Sequence, residues 1–161
     1  MKKDRTGDLA QRVADFVCGD VQLSATTLER AKIVFADTVS ATVAGASSDV
    51  MGPLRGYIRA NAAAVSDKVV LGTELKTSAE LAAMANGTMA AALEFDDVLS
   101  LMPAHPSAVV LAALMASDAA LKATGAQVLE AYVVGVEAGA RMAQAMTLDH
   151  YKRGFHATGT V

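Results

Sequence analysis

The sequence has no tryptophan, one cysteine and three prolines among its 161 residues, and each scarcity closes an option. One cysteine, Cys18, cannot form an internal disulfide, and its apolar neighbours suit a small buried hydrophobe in a reducing compartment. Charged residues make up 19% of the chain against 53% hydrophobic ones, which excludes a solvated disordered chain and supplies one domain core. Positive charge is also short: 14 Lys and Arg face 17 Asp and Glu, for a net charge of −3 and a pI near 5.5. No face or tail concentrates the basic residues, so a nucleic-acid partner is not expected. Long apolar runs are missing as well. Ala108 to Ala116 is the longest at nine residues, where a helix crossing a bilayer needs roughly 20, so no membrane association is expected. The opening MKKDRTGD leads into acidic and polar residues instead of the apolar stretch of a secretory signal. The expected location is the cytoplasm.

What the chain has in quantity is alanine, 34 residues. Alanine has the best helix propensity and a side chain too small to hold helices apart, while the branched and aromatic residues that strands prefer are sparse. The expected class is all-α, a closely packed Ala-rich helical bundle, with residues 1–161 forming a single helical domain or subdomain. Apolar spacing predicts helices over 8–17 with Asp8 as cap, 25–45 preceded by Ser24, and 51–60. The period fails between Asn61 and Thr77, where Val69, Val70 and Leu71 suit one short extended piece. A helix capped by Thr77 or Ser78 then runs to about Phe95, with Gly87 inside it marking close approach by another backbone. Further helices are expected over 106–122, opened by Pro106, and over 126–146. In the last of these, Ala131, Gly135, Gly139 and Ala143 form a stripe almost without side chains, a groove for a neighbouring helix.

Two polar knots interrupt this apolar material, EFDDVLSLMPAHPS at 94–107 and HYKRGFHATGT at 150–160. Chemistry on a small carboxylic acid needs a group titrating near neutrality, donors for the carboxylates, and a carboxylate to orient the titrating group. The knots offer these parts. His105 and His156 are candidate proton carriers, and Asp96 and Asp97 can orient a histidine or raise its basicity. Ser107 at a helix start, with Lys152, Arg153 and Thr158, can hold an anion. Each also has a plainer reading: Asp96 and Asp97 as turn residues, His105 as a helix initiator, Lys152 and Arg153 as wet surface, Ser107 and Thr158 as caps. His150 is a weaker candidate. The three histidines lack metal-ligand spacing and no glycine-rich phosphate loop follows a strand, so no metal, NAD or ATP is expected.

Five segments in order, FADTVSATVAGA at 35–46, ANGTMAAALEFDDV at 85–98, HPSAVVLAAL at 105–114, AYVVGVEAGARM at 131–142 and RGFHATGTV at 153–161, resemble the MmgE/PrpD family. Members that the chain looks like include 2-methylcitrate dehydratase, cis-aconitate decarboxylase and an iminodisuccinate epimerase, and the resemblance implies no metal or organic cofactor. It further implies a large helical domain and a smaller α/β domain with the active site between them, usually in a homodimer. Asp97, His105 and His156 match family active-site positions. Glu94 falls where decarboxylase-like members carry aspartate, and Val98 where many carry threonine. Valine loses a hydroxyl whose hydrogen bond is typically worth about 0.5–1.5 kcal/mol, and Glu94 moves its carboxylate by one methylene, so an altered substrate or lost activity are both open.

By resemblance, members extend well beyond the Gly-Phe-His motif near which this sequence stops, so the expectation is a part truncated relative to the family. Its apolar helices would need cover from a chain supplying the rest of the family fold or from further copies of itself. The functional expectation, leaning towards an enzyme, is the N-terminal part or subunit of a cofactor-free lyase or isomerase acting on a small carboxylic acid by dehydration, decarboxylation or epimerisation. Its catalytic groups would be His105 and His156 with Asp97 as orienter and Glu94 as a further acid or base, and Asp96, Ser107, Lys152, Arg153 and Thr158 would meet substrate. The alternatives are a noncatalytic helical remnant that self-associates or binds a protein, and a self-sufficient small isomerase or cyclase.

Overall fold

A computed structural model describes residues 5–61, 67–99, 104–117, 122–146 and 148–159. In chain order the elements are α1 (Arg5–Val17), α2 (Ala25–Gly45), α3 (Met51–Ala60), β1 (Lys68–Val69), β2 (Lys76–Thr77), α4 (Ala79–Ala91), α5 (Pro106–Ala116), α6 (Gly125–Met146), α7 (Asp149–Lys152) and a 3₁₀ turn (Ala157–Gly159). The class is all-α, a packed helical domain with one small hairpin. Ser24 and Ser78 start α2 and α4 by accepting hydrogen bonds from Thr27 N (3.1 Å) and Leu81 N (3.4 Å), which satisfies amide groups that the first helical turn leaves open. Among the described residues, no helix is long and apolar enough to cross a membrane.

The centre of the fold is α4, which packs against α2 on one side and α5 on the other. Its Ala82, Ala85, Met89 and Ala90 are almost wholly buried, and Met51, Leu54 and Ile58 of α3 close over Ala85 and Met89 together with Val70. Small residues set these distances. A Cβ built on Gly45 would stand 2.0 Å from the carbonyl oxygen of Met89, so α2 and α4 touch backbone to backbone. Gly87 likewise meets α5, at 3.4 Å from the Ala108 oxygen, and Gly135 lets α6 approach Val110. The small-residue stripe is thus a packing surface at Gly135 and at Ala143, which is buried against Ala104, whereas Ala131 is exposed.

Five sequence expectations change. The apolar piece at 69–71 is half of an antiparallel hairpin pairing Lys68 with Thr77 and Val69 with Lys76. Asn86 of α4 holds it by accepting from Leu71 N (2.9 Å) and donating to the Val69 oxygen (3.2 Å). Helix α4 ends at Ala91, four residues early, since Glu94 adopts φ = 55°, which no helix continues through. Cys18 is exposed, one residue beyond α1, because its neighbours Phe16 and Val17 are themselves partly in solvent. Helix α1 begins at Arg5, so Asp8 lies in its first turn instead of capping it. Helix α5 ends at Ala116, short of the expected 122, because Ser117 turns extended (φ −79°, ψ 143°); residues 118–121 lie outside the described residues.

Replacing Gly45 by alanine is expected to destabilise the fold by about 1–3 kcal/mol or more, because the obstacle is backbone that cannot rotate away. Gly56 lies inside α3 with nothing within 4 Å of its virtual Cβ, so Gly56→Ala should stabilise by about 0.5–1 kcal/mol. Urea unfolding followed by far-ultraviolet circular dichroism measures both.

Candidate active site

The loop leaving α4 and the start of α5 meet the segment around residues 153–159. Pro106 occupies the first turn of α5, where the missing N–H costs nothing, but His105 at the cap position makes no side-chain capping bond. Asp97 takes that task from ten residues away: its Oδ1 accepts from Ser107 N (3.2 Å) and its Oδ2 from Ser107 Oγ (2.7 Å). Ser107 Oγ also shares a hydrogen bond with the hydroxyl of Tyr132 on α6, and the Tyr132 ring meets Phe35 of α2 edge-on at 5.7 Å. A carboxylate at a helix N-terminus is favoured by the exposed amides and the helix dipole. The network therefore fixes the direction of α5 against α6 and α2.

Asp96 points the other way. Its side chain is 1% exposed, and Oδ2 lies 3.3 Å from His105 Nδ1. The two atoms are close enough for an ion pair but lack hydrogen-bond alignment, and neither has another hydrogen-bond partner among the described residues. A buried ionised carboxylate is costly unless a proton donor faces it, and the His105 imidazole is the group placed to do so. The backbone N–H of His105 donates to Thr158 Oγ1 at 2.8 Å, joining residues 53 positions apart. His156 then stacks on His105, ring centres 5.6 Å apart and planes 23° from parallel, and Tyr151 flanks it at 5.4 Å. The Nδ1 of His156 accepts from Thr158 N at 3.3 Å.

These rings sit on an open groove of about 780 Å³. Its walls are small and apolar, from Ala83, Gly87 and Ala91 of α4 and Ala108, Val109 and Ala112 of α5, with Glu94, Asp96, Val98, His105, His156 and Thr158 also lining it. Of the sequence candidates, His105, His156, Glu94, Asp96 and Thr158 are thus brought together. Asp97 is not: the geometry of an orienter for His105 belongs to Asp96, and Asp97 is engaged with Ser107. Ser107 is completely buried with its hydroxyl already bonded, so it supports the site from behind and offers nothing to a ligand. Lys152 is exposed and pairs with Asp149 at 3.2 Å, Arg153 is exposed too, and no Lys or Arg lines the groove among its described residues. The side chain of His150 lies outside the described residues. Nor, among the described residues, do three His, Cys, Asp or Glu side chains gather as metal ligands.

Sequence reasoning missed Tyr132. The available signal was that it is the sole aromatic residue in α6, and a buried tyrosine needs a partner for its hydroxyl. Burial raises the Tyr132 phenol above its ordinary value of 10.0; the Ser107 hydrogen bond opposes that rise and the Asp97 charge adds to it.

The family described as MmgE/PrpD N-terminal domain matches residues 7–161. No curated protein matches the chain.

Two outcomes follow from the network. Asp97→Ala leaves the buried Ser107 amide without an acceptor and should cost about 1–3 kcal/mol, with Asp97→Asn costing less because it keeps an acceptor; chemical unfolding measures the difference. Because folding raises the Tyr132 pKa, the unfolded chain loses that proton first as pH climbs. The associated stability is therefore present below about pH 10 and lost above it. Unfolding series from pH 8 to 11 should show this alkaline loss reduced in Tyr132→Phe.

Proposed function

Because the chain belongs to the MmgE/PrpD family through its N-terminal domain, we propose that it is the N-terminal part or subunit of a lyase or isomerase that moves protons on a small carboxylic acid. The observation that carries this reading is the stacked pair His105 and His156 on the groove, with the buried Asp96 carboxylate against one ring. Breaking a C–H bond α to a carboxylate needs a base of near-neutral strength and a donor for the charge that appears on the carboxylate oxygens. The C–H electron pair then either expels hydroxide in a dehydration or accepts a proton on the opposite face in an epimerisation. A decarboxylation starts instead from loss of CO₂ and ends with a proton delivered to carbon. Proton transfer serves all three, so the reading invokes no metal or organic cofactor.

Glu94 stands at the groove in the same reading as a second acid or base, reaching it from a left-handed backbone conformation. Val98 beside it is apolar and 62% exposed. The groove is open, and Phe95 and Phe155, the sequence neighbours of its lining residues Glu94 and His156, are 68% and 63% exposed. These faces support an assembly in which the rest of the family fold, or another copy of this chain, covers the groove and brings the cations that its described lining lacks. The partners in this reading are a small carboxylic acid and protein, with neither nucleic acid nor membrane, and the place is the cytoplasm.

The test uses the assembly purified gently from its source, its composition read by native mass spectrometry. Incubation with 2-methylcitrate, cis-aconitate and iminodisuccinate in D₂O, followed by proton NMR, should show turnover or deuterium entry at carbon for one of them. His105→Ala should lower that rate by roughly 10²–10⁴-fold. Equal rates in wild type, His105→Ala and His156→Ala would sink the proposal.

A further inference from the structure

We infer that the two stacked histidines are held in opposite neutral tautomers, His105 as the proton-accepting base and His156 as a hydrogen-bond donor, with Asp96 as the positioning residue that makes His105 a base. The assignment deepens the function proposed for this groove and rests on it for its chemical meaning.

The geometry distinguishes the rings. His105 turns Nδ1 to the Asp96 carboxylate at 3.3 Å, in a position from which solvent is excluded. An ionised carboxylate accepts and never donates, so Nδ1 carries the proton and Nε2 is left with its lone pair. Asp96 and His105 leave little alternative for each other, since neither atom has another hydrogen-bond partner among the described residues. His156 is arranged the opposite way. Its Nδ1 accepts the Thr158 N–H at 3.3 Å, and a ring nitrogen that accepts a hydrogen bond holds no proton in neutral imidazole, which puts the proton on Nε2. Thr158 serves both rings at once, because its Oγ1 accepts the backbone N–H of His105 at 2.8 Å.

Opposite tautomers give the pair a division of labour. A proton passes from the substrate's α-carbon to His105 Nε2, and the C–H electron pair spreads onto the adjoining carboxylate as an enediolate. The new imidazolium is balanced by Asp96. His156 keeps its own proton and hydrogen-bonds through Nε2 to the developing oxyanion, a task for which no Lys or Arg lines the groove among its described residues. The proton on His105 then leaves with the departing hydroxide as water, whereas an epimerisation takes its new proton on the opposite face from a second acid, the part given to Glu94 of the groove lining. A neutral imidazole suits the donor role because it need not give up its proton.

The test is the long-range proton–nitrogen NMR spectrum of the full chain at a pH where the imidazoles are neutral, with signals assigned through single His→Gln variants. The expected spectrum shows Nδ1–H with a bare Nε2 for His105 and Nε2–H with a bare Nδ1 for His156. Asp96→Asn should abolish the His105 preference for Nδ1–H, and Asp97→Asn should leave it in place. The wild-type spectrum decides by itself if Asp96→Asn does not fold: the same tautomer in both rings, or Nε2–H in His105, overturns the inference. So does a His105 tautomer unmoved in a folded Asp96→Asn. In the active assembly His156→Gln, which keeps an N–H donor, should retain at least tenfold more activity than His156→Ala, while His105→Gln should be as impaired as His105→Ala. Correct tautomers without turnover of any acid would refute the proposed function and leave this assignment standing.

Discussion

The distance between α4 and its neighbours governs everything that follows in this fold. Gly45 brings α2 onto the backbone of α4, and Gly87 brings α5 to the other side. At these two points no side chain acts as a spacer, and close backbone approach sets the helix separation around a core that still holds Met51, Leu54, Ile58 and Met89. The end of α4 and the start of α5 then lie close enough for Asp96 and Asp97 to reach His105 and Ser107 across the loop. A looser bundle with larger side chains would move these pairs out of range.

Adjacent aspartates do opposite work in the loop between α4 and α5. Asp97 faces the helix end and joins a satisfied network with Ser107 and Tyr132, so its value is structural. Asp96 faces inward, where its Oδ2 lies 3.3 Å from one imidazole nitrogen and has no hydrogen-bond partner among the described residues. In low dielectric such a contact is strong when paired and costly when not, which makes the Asp96–His105 pair sensitive to what binds beside it.

The helices were legible because alanine content and apolar spacing both pointed to them; Ser78, one of two cap candidates, and Gly87 were read for the roles that the structure gives them. The hairpin was half visible: Val69 to Leu71 looked extended, but its partner strand has just two residues, and its hold on α4 comes from Asn86, a polar residue inside a helical pattern. The early end of α4 was hidden because Leu93, Glu94 and Phe95 continue a helical pattern in sequence; the backbone turn at Glu94 is a tertiary choice. For the site, residue types and helix ends pointed to His105 and His156, and the family resemblance added Glu94; all three line the groove. These signals could not say which of two neighbouring aspartates faces the histidine, since that depends on a loop conformation with no periodicity to read. Nor could they place Lys152 and Arg153 away from the groove, because short helices such as α7 carry no facing signal.

The contact between His105 N and Thr158 Oγ1 joins two places 53 residues apart, and that separation orders events during synthesis. Helices α2, α4 and α5 can pack before the segment carrying Thr158 is made, since all three lie N-terminal to it. The histidine pair has to wait until α6 has formed and the segment carrying Thr158 has folded back, a closure whose entropic cost grows with the length of the loop. A nascent chain therefore passes through a state with its helices docked and its groove already open, but with His105 lacking both the stacked ring and the threonine that holds it.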